Sequence, residues 1–469
     1  MAVSNTYYGA AKVNDILAGK KSIFFIGIGG VSMSSLAIAA KNLGFSVGGS
    51  DRAMSASTMR LTSNGIRVCI GHRAENIRGY DIAVYTVAIS DENPEYNEAR
   101  RMGIPCVSRA DFLGALMYGF ENRIGICGMH GKSSVTAMVA SIFSRSLDPT
   151  VISGASLSGS DECCRLGGDR DFIFEACEYQ DSFLSFYPST AVVLNIELDH
   201  TDYFVSLDQI RDSFSRFISI ASGGILVYNL DDENVRSICD SFDGRRISFS
   251  VENSDADVYA SDITYDRGMP RFTVCSGDKR LFEVSLGVLG EHNISNALAA
   301  AATALAHSLP YEDIVAGLGE FSGAKRRLTY KGSLHRAEIY DDYAHHPTEI
   351  DAAVNALRPR CKGKLWGVLQ PHTYSRTKEL YIEFSRALAR FDRVILLDIY
   401  AARETDTLGV SSKQLAQSVG EHAIYAPSFR AAAEILTEEL GAKDIAVIMG
   451  AGDNERVFDH LMLDAKPRK

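Results

Sequence analysis

The sequence lacks any apolar run of the roughly 18 residues that a membrane-spanning helix needs, so no membrane span is predicted. Residues 1–21 do not have the order of a signal peptide, in which basic residues precede an apolar segment. Tracts rich in proline or glutamine are absent as well. We therefore expect a folded protein of the cytoplasm that has no membrane partner.

An excess of basic residues is also missing. The chain has 48 lysines and arginines against 59 aspartates and glutamates, which gives a formal net charge of −11. No nucleic-acid partner is expected, because proteins bind a phosphate backbone through concentrated positive charge. The nine cysteines form no CxxC pair, which argues against a zinc site and indicates reduced, mostly buried thiols.

What the sequence does contain is enough material for about three domains, with 469 residues of which 46% are hydrophobic. Strand patterns alternate with helical patterns, which predicts an α/β fold with ligands at the carboxyl ends of mostly parallel strands. We expect Rossmann-like domains at residues 1–122 and 325–469. Between them, residues 123–324 are expected to form a P-loop ATPase-type sheet, with β-hairpins over 244–288.

A glycine-rich loop opens the central block, in the segment GICGMHGKSS at residues 125–134. Backbone N–H groups in such a loop bind phosphate oxygens, and Lys132 and the following helix add positive charge. Ser133 stands where a hydroxyl can ligate Mg²⁺. The common GxxxxGK[ST] form would have glycine at Ile126, and so short a match is as compatible with a structural turn. Its place between an apolar strand and a helix favours the phosphate loop.

Two residues are candidate metal ligands beside this loop. Glu175 follows the apolar run FIF, and His200 follows a strand that we predict over Ala191–Ile196. Taken singly, a strand-end glutamate such as Glu175 or Glu178 is more commonly solvated, and a loop histidine more commonly caps a turn. Their joint position beside a phosphate loop favours a Mg²⁺ site, because that ion needs several ligands.

A second glycine turn lies near the front of the chain. Gly27, Gly29 and Gly30 follow a strand, and Asp51 ends the next one, which satisfies a loose dinucleotide-binding pattern. An NAD-dependent oxidoreductase is therefore an alternative from another class. Ser32 stands where the third glycine of that pattern belongs, and this alternative leaves the central loop unexplained.

Seven segments resemble the Mur ligases, the ATP-dependent amide-forming enzymes of peptidoglycan precursor synthesis. They cover nearly the whole chain in the family's order: GMHGKSS, FEACEYQDSF, NIELDHTDYF, GEHNISNALAA, GAKRRL, DDYAHHPTEI and QPHTYSRT. The segments FFIGIGGVSMSSLA, GSD and DDYAHHPTE favour the branch that joins L-alanine to UDP-N-acetylmuramate. A ligase that recycles a tripeptide onto the same sugar is the nearest alternative, and a non-catalytic scaffold protein is a third class.

The resemblance implies that residues 1–122 bind the UDP-sugar, 123–324 bind ATP and 325–469 bind the amino acid. In the implied reaction, phosphate from ATP activates the lactyl carboxylate as an acyl phosphate, which the amine of alanine then attacks. The protein is expected to be a monomer or a weak homodimer.

The resemblance also assigns roles to individual residues. The expected ATP contacts are Gly128, Met129, His130, Gly131, Lys132, Ser133, Ser134, His292, Asn293 and Asn296. The expected ligands of Mg²⁺, or of Mn²⁺ in its place, are Ser133, Glu175 and His200. The UDP-sugar contacts are Gly27, Gly29, Gly30, Ser32, Asp51 and, with less support, His72. The amino-acid contacts are Tyr343, His345, His372 and Arg376. The residues expected to act in catalysis are Lys132, Glu175, His200, Arg326, His345 and Arg376, and the basic pair Arg326 and Arg327 lies at the expected hinge.

Two departures from the family pattern are visible. Met129 replaces a usual threonine, and Thr373 replaces a commonly basic residue, which shifts recognition of the amino-acid carboxylate to Arg376. No lysine occurs between Lys132 and Lys279, so the carboxylated lysine that several sister ligases use as a metal ligand is absent, as expected for the alanine-adding branch.

Overall fold

A computed structural model describes residues 3–157, 162–200, 203–402 and 404–464. The chain divides into two compact units. The first consists of Met1–Ile196, Arg211–Ser248 and Ala299–Leu309, and the second of Glu197–Ile210, Phe249–Leu298 and Pro310–Lys469. No helix among the described residues combines the length and apolar character needed to cross a membrane.

The first sheet lies in the first unit and is wholly parallel, in the order β3-β2-β1-β4-β5. Its strands are β1 (Ser22–Ile26), β2 (Ser46–Asp51), β3 (Arg67–Ile70), β4 (Ile82–Tyr85) and β5 (Cys106–Ser108). Its helices are α1 (Ala10–Leu17), α2 (Val31–Asn42), α3 (Ala56–Ser63), α4 (Pro94–Arg101) and α5 (Arg109–Met117), with a 3₁₀ turn at Ala74–Ile77. The central strand β1 has four consecutive buried residues, as expected for a sheet covered on both faces.

The second sheet begins in the first unit with the strand order β8-β7-β9-β6-β10-β11-β12. From β7 to β11 neighbouring strands are parallel, whereas β8 is antiparallel to β7. Its strands are β6 (Asn122–Cys127), β7 (Thr150–Ile152), β8 (Cys164–Arg165), β9 (Asp171–Glu175), β10 (Thr190–Val193), β11 (Ile225–Asn229) and β12 (Arg245–Ser250). The accompanying helices are α6 (Lys132–Phe143), α7 (Leu207–Ile220) and α8 (Glu233–Cys239), with a 3₁₀ segment at Tyr179–Ser185. The boundary between the units passes through β12.

In the second unit, the last residues of β12 pair with a three-stranded antiparallel extension. Its strands are β13 (Val258–Asp266), β14 (Met269–Ser276) and β15 (Lys279–Ser285). The next helix, α9 (His292–Ala306), belongs to the second unit as far as Leu298 and to the first from Ala299, and α10 (Tyr311–Glu320) belongs to the second. The predicted range 244–288 thus contains two β-hairpins, β13–β14 and β14–β15, whereas β12 at its start pairs with β13 in parallel.

The third sheet also lies in the second unit, in the order β16-β17-β21-β18-β19-β20, with only β16 antiparallel. Its strands are β16 (Thr329–Leu334), β17 (Ala337–Asp342), β18 (Leu365–Leu369), β19 (Arg393–Leu396), β20 (Ala423–Tyr425) and β21 (Ile445–Met449). Its helices are α11 (Pro347–Leu357), α12 (Tyr374–Glu379), α13 (Tyr381–Leu388), α14 (Ser412–Val419) and α15 (Phe429–Glu439), with a 3₁₀ turn at Asn454–His460. Alternate residues of β18 enter separate cores on the two faces, Leu365 and Leu369 on one and Trp366 and Val368 on the other.

The predicted fold class is confirmed, since three sheets of an α/β protein are present in the expected order. Strand ends were less accurate. The strand predicted over Ala191–Ile196 is β10, which ends at Val193. Asn195 and Ile196 leave the strand because their side-chain and backbone groups bond to neighbouring loops.

Candidate active site

The phosphate loop connects β6 to α6, and its shape depends on two glycines. Gly128 and Gly131 have φ angles of +142° and +83°, which residues other than glycine rarely adopt. A Cβ on Gly128 would also lie 2.9 Å from the Cβ of Leu194. Gly131 is the residue before the first turn of α6, so the amino end of that helix faces the loop. This combination suits an anion such as phosphate.

Asn195 holds the loop from the neighbouring strand end. The backbone N–H of His130 donates to Asn195 Oδ1 at 2.8 Å, and Asn195 Nδ2 donates back to the His130 carbonyl at 3.1 Å. The Met129 N–H donates to the Asn195 carbonyl at 3.3 Å. The backbone of Met129 and His130 is therefore fixed by one asparagine, while the side chain of Met129 is buried.

Lys132 lies at the start of α6 and turns back over the loop. Its ammonium donates to the Gly128 carbonyl and, at 3.1 Å, to that of Met129. It also pairs with Glu178 at 3.0 Å. Burial disfavours the charged form, but Glu178 and Glu175 more than offset this, so the pKa of Lys132 is raised and it stays protonated. The alternative of a solvated strand end does not apply to Glu178, because its side chain is 1% exposed and pairs with this lysine.

Two of the expected metal ligands face each other. The Ser133 hydroxyl donates to Glu175 Oε2 at 2.9 Å, and the Gly154 N–H donates to the same oxygen at 2.8 Å. A hydroxyl and a carboxylate at this spacing are the hard oxygen ligands that Mg²⁺ prefers, with phosphate and water completing its shell. The residues present therefore fit a Mg²⁺–nucleotide complex.

The front glycine turn is closed by Asp51. The Gly29 N–H donates to Asp51 Oδ2 at 2.8 Å, and the N–H groups of Gly27 and Ile28 donate to the Ser50 carbonyl, both at 2.9 Å. Gly30 precedes α2. Ser32, in the first turn of α2, accepts a hydrogen bond from Arg109 Nη1 at 3.1 Å.

His72 lies at the same carboxyl edge of the first sheet but is held by protein groups. Its Nδ1 is 2.7 Å from Glu95 Oε2, and Ser50 Oγ donates to that oxygen at 2.6 Å. The hydrogen bond to Glu95 raises the pKa of His72 in spite of partial burial. In this structure His72 is a satisfied member of a hydrogen-bond network.

In the second unit, the residues expected at the nucleotide base form a chain of contacts at the start of α9. Asn296 Nδ2 donates to Asn293 Oδ1 at 3.0 Å, and Asn293 Nδ2 donates to the Leu289 carbonyl at 2.8 Å. His292 Nε2 lies 3.2 Å from Asn293 Nδ2. The two asparagines share one helix face, as their three-residue spacing predicts.

Arg376 is brought against Asp199, a residue that the sequence did not single out. Arg376 Nε and Nη2 lie 2.8 and 2.7 Å from Asp199 Oδ1, and both side chains are buried. Burial alone would raise the pKa of Asp199, but Arg376 and neighbouring histidines bring it well below its usual range. Arg376 Nη1 also lies 3.0 Å from His372 Nδ1.

The rings expected to contact the amino acid form a row after β17, β18 and β19. Tyr343 and His345 meet edge to face at 5.4 Å, His345 and His372 do so at 5.7 Å, and His372 stacks on Tyr400 at 5.6 Å. Burial lowers the pKa of His345 to about 4 and that of His372 to about 3. Both rings are neutral at neutral pH. Thr373 has a φ of +67°, and its N–H donates to the Tyr400 carbonyl at 2.9 Å.

The basic pair at the expected hinge is held by different partners. Arg327 Nη1 donates to Glu349 Oε1 at 3.1 Å. The other carboxylate oxygen of Glu349 accepts a hydrogen bond from the His345 N–H at 2.9 Å. Arg326 Nη2 donates to the Gly450 carbonyl and to Asn454 Oδ1, both at 2.6 Å. Both guanidinium groups also lie over the Tyr343 ring, at 5.0 Å for Arg326 and 5.6 Å for Arg327.

The expected metal ligands fall in two compact units. Ser133 and Glu175 belong to the first, whereas His200 belongs to the second. His200 has a φ of +51°, and its N–H donates to Asp199 Oδ1 at 2.6 Å. This adds a second role for Asp199, which orients both His200 and Arg376.

Sequence reasoning missed Asn195, Asp199 and Glu349 as supporting residues. Two signals were available, since Asp199 directly precedes His200 and Glu349 lies one helical turn after His345. Asn195 gave no signal, because its contacts depend on the pairing of β6 with β10.

Comparison with known proteins gives matches along nearly the whole chain. Residues 22–121 match the Mur ligase family catalytic domain, 126–304 the Mur ligase middle domain, and 326–452 the Mur ligase glutamate ligase domain. The chain is 42% identical to the UDP-N-acetylmuramate–L-alanine ligase of Acetivibrio thermocellus, over 95% of this chain and 96% of the relative. It is 41% identical to the ligase of the same name from Clostridium novyi, with 97% and 99% covered.

Solved structures show the same fold. The UDP-N-acetylmuramate–alanine ligase of Thermotoga maritima aligns with a TM-score of 0.79 at 24% identity, over 93% of this chain and 98% of that one. A murein peptide ligase from Psychrobacter arcticus aligns with a TM-score of 0.71 at 22% identity, over 94% and 98%.

Proposed function

This chain belongs to the Mur ligase family, and on that premise we propose that it is the ATP-dependent ligase that joins L-alanine to the lactyl carboxylate of UDP-N-acetylmuramate in peptidoglycan precursor synthesis. The observation that carries the proposal is the similarity above 40%, over nearly the full length, to ligases named for this reaction. The phosphate loop with its buried lysine supports the use of ATP.

The chemistry follows from the need to activate a carboxylate. Its negative charge repels an amine, so the lactyl carboxylate first attacks the γ-phosphate of ATP and becomes an acyl phosphate as ADP leaves. The amine of alanine then attacks the acyl carbon, a tetrahedral intermediate forms, and phosphate leaves as the nitrogen loses a proton. Lys132 and the loop N–H groups stabilise the charge that develops on the phosphoryl oxygens.

We propose Ser133, Glu175 and His200 as the ligands of Mg²⁺, or of Mn²⁺ in its place. The contact between Ser133 and Glu175 supports two of the three. A bound Mg²⁺ would neutralise phosphate charge during transfer. Glu178 keeps Lys132 charged and directed at the loop, which leaves Glu175 available for the metal.

The division of labour along the chain is a proposal of the same kind. Residues 1–122 would bind the UDP-sugar, 123–324 ATP, and 325–469 the amino acid. The three family matches fall within these ranges and support the division. The ring row of Tyr343, His345 and His372, closed by Arg376, would receive alanine. We retain the cytoplasm as location and a monomer or weak homodimer as the assembly.

The test is phosphate release from ATP with UDP-N-acetylmuramate and a panel of amino acids and peptides. We expect release with L-alanine and none with the L-Ala–D-Glu–diaminopimelate tripeptide. Preference for the tripeptide would replace the proposal with the recycling reaction. The variant Lys132→Ala is the control for the chemistry, since it should bind the UDP-sugar as the wild type does and release no phosphate.

A further inference from the structure

Arg109 is a partly buried arginine to which neither the sequence analysis nor the proposed reaction assigns a role. It follows β5 and begins α5, at the carboxyl edge of the first sheet. The front glycine turn and Asp51 lie at that same edge, where parallel sheets bind their ligands. Its Nη1 donates to Ser32 Oγ at 3.1 Å.

The partners of Arg109 are few for a guanidinium, which has five N–H donors. Among the described residues no carboxylate lies within ion-pair distance of it, and Ser32 is its one hydrogen-bond partner. Arg123, in the same unit, differs because it donates to the backbone carbonyls of Phe120 and Tyr187. Arg123 is satisfied by its own chain, whereas Arg109 is not.

The charge of Arg109 is affected by groups near the phosphate loop. Burial lowers its pKa, and Cys177 and Glu175 act in the opposite direction. Glu175 is the carboxylate that faces Ser133 beside the phosphate loop. The guanidinium therefore bonds to the helix that follows the front glycine turn, through Ser32, and the charge of Glu175 acts on it as well.

A partly buried guanidinium without a carboxylate favours an anionic ligand, because the charge is otherwise poorly compensated. Its fork of N–H groups matches the two oxygens of a carboxylate or a phosphate. We propose that Arg109 binds an anionic group of the UDP-sugar substrate at the carboxyl edge of the first sheet, beside Ser32 and the front glycine turn. This inference rests on the proposed function. The anion is either the diphosphate or the carboxylate that is to be activated.

The test is calorimetric titration of the full-length protein with UDP-N-acetylmuramate and with UDP-N-acetylglucosamine, which has the same diphosphate but no lactyl carboxylate. We expect Arg109→Gln to weaken binding of UDP-N-acetylmuramate by about 10- to 100-fold, the usual value of charge-assisted hydrogen bonds. Arg109→Lys, which keeps the charge but loses the fork, should weaken it by about 5-fold. The exposed Arg67→Gln is the matched control and should bind as the wild type does.

The outcomes separate the sources of the anion. A loss for both sugars identifies the diphosphate, and a loss for UDP-N-acetylmuramate alone identifies the carboxylate. Wild-type affinity of Arg109→Gln for both, in a variant with unchanged thermal stability, overturns the inference. If that variant does not fold, wild-type affinity of Arg109→Lys overturns it. ATP affinity should not change in either variant, and a wild type that does not bind UDP-N-acetylmuramate contradicts the proposed function instead.

Discussion

Glu175 and Glu178 are three residues apart, yet the structure gives them different neighbours. Glu178 is buried against Lys132, whereas Glu175 faces the hydroxyl of Ser133 and the Gly154 N–H. Two carboxylates beside one phosphate loop can therefore serve separate purposes, one compensating a lysine and the other supplying an oxygen to a cation.

This difference predicts opposite metal dependence for two isosteric substitutions. Glu175→Gln should raise the Mg²⁺ concentration needed for half-maximal phosphate release by about tenfold, since a proposed ligand of the ion is lost. Glu178→Gln should lower the maximal rate at saturating Mg²⁺, because Lys132 loses its counter-charge. Measuring the rate against Mg²⁺ concentration distinguishes the two, and an unchanged Mg²⁺ curve for Glu175→Gln would remove that residue from the metal site.

His345 predicts a dependence of stability on pH. Burial lowers the pKa of His345 to about 4, and the charge of Arg376 acts in the same direction. The carboxylates of Glu349 and Asp199 act in the opposite direction. An unfolded histidine titrates near pH 6.5, so between about pH 4 and 6.5 the unfolded chain binds more protons. The contribution of neutral His345 to the free energy of unfolding is therefore complete above pH 6.5 and is lost as the pH falls towards 4.

The measurement compares urea unfolding of the wild type and His345→Asn at pH 7.5 and 4.5. We expect the wild type to lose about 2 kcal/mol more than the variant over this range. His335→Asn, at an exposed position, is the control. If the wild type and His345→Asn lost the same free energy of unfolding between the two pH values, the pKa of His345 in the folded protein would be that of an ordinary histidine.

How far single residues could be predicted depends on how local their partners are. Lys132 and Ser133 lie within one glycine-rich motif, so their places follow from the chain itself. The role of Glu178 could not be predicted in this way, because its partner Lys132 lies 46 positions earlier in the sequence. Spacing alone does not reveal such pairs, which depend on strand order in the second sheet.

At the scale of elements, the segment Val3–Gly9 before α1 acts as a strap on the first unit. The Thr6 hydroxyl and the Tyr8 N–H both donate to Asp111 Oδ2, at 2.6 and 2.7 Å. Asn5 Nδ2 donates to the Gln180 carbonyl at 3.2 Å. Gln180 and Asp181 have φ angles of +52° and +54°, a costly backbone conformation. They lie two and three residues after Glu178, the partner of Lys132.

This strap predicts a measurable loss of stability. Thr6→Val keeps the shape of the side chain but removes one donor from the buried carboxylate of Asp111, which should lower the free energy of unfolding by about 1–2 kcal/mol. Ser4→Ala, at an exposed position of the same segment, is the control and should change it little. Denaturant unfolding of the two variants is the measurement, and equal values would show that the strap does not stabilise the unit.

Elements were predicted better than their ends. The buried strands β1, β6, β18 and β21 follow from continuous apolar runs, as parallel strands covered on both faces require. The strap was not predicted, because it has no regular periodicity and its partners, at Asp111 and Gln180, lie far away in the sequence.

At the scale of the whole molecule, the chain does not divide into compact units in simple sequence order. Residues 249–298 group with the C-terminal sheet, and residues 299–309 group with the N-terminal part. The sequence shows where strands and helices change over, but packing assigns them to units, and that information is not local.

Two compact units predict two steps in thermal unfolding. Leu226→Ala in β11 and Leu388→Ala in α13 each remove a fully buried side chain from one unit, at a cost of about 2–5 kcal/mol. Each substitution should lower the midpoint of its own transition by several degrees and leave the other in place. Scanning calorimetry is the measurement. A single transition, shifted equally by both substitutions, would mean that the chain unfolds as one cooperative body.

The two hydrogen bonds between Asn195 and His130 have a kinetic consequence. Because the adjacent strand end holds the loop backbone in place, the loop need not rearrange before a nucleotide binds. The affinity for the nucleotide is then not reduced by loop conformations that cannot bind it. Stopped-flow traces with a fluorescent ATP analogue should then follow one exponential, with a rate proportional to analogue concentration, and Asn195→Ala should introduce a plateau.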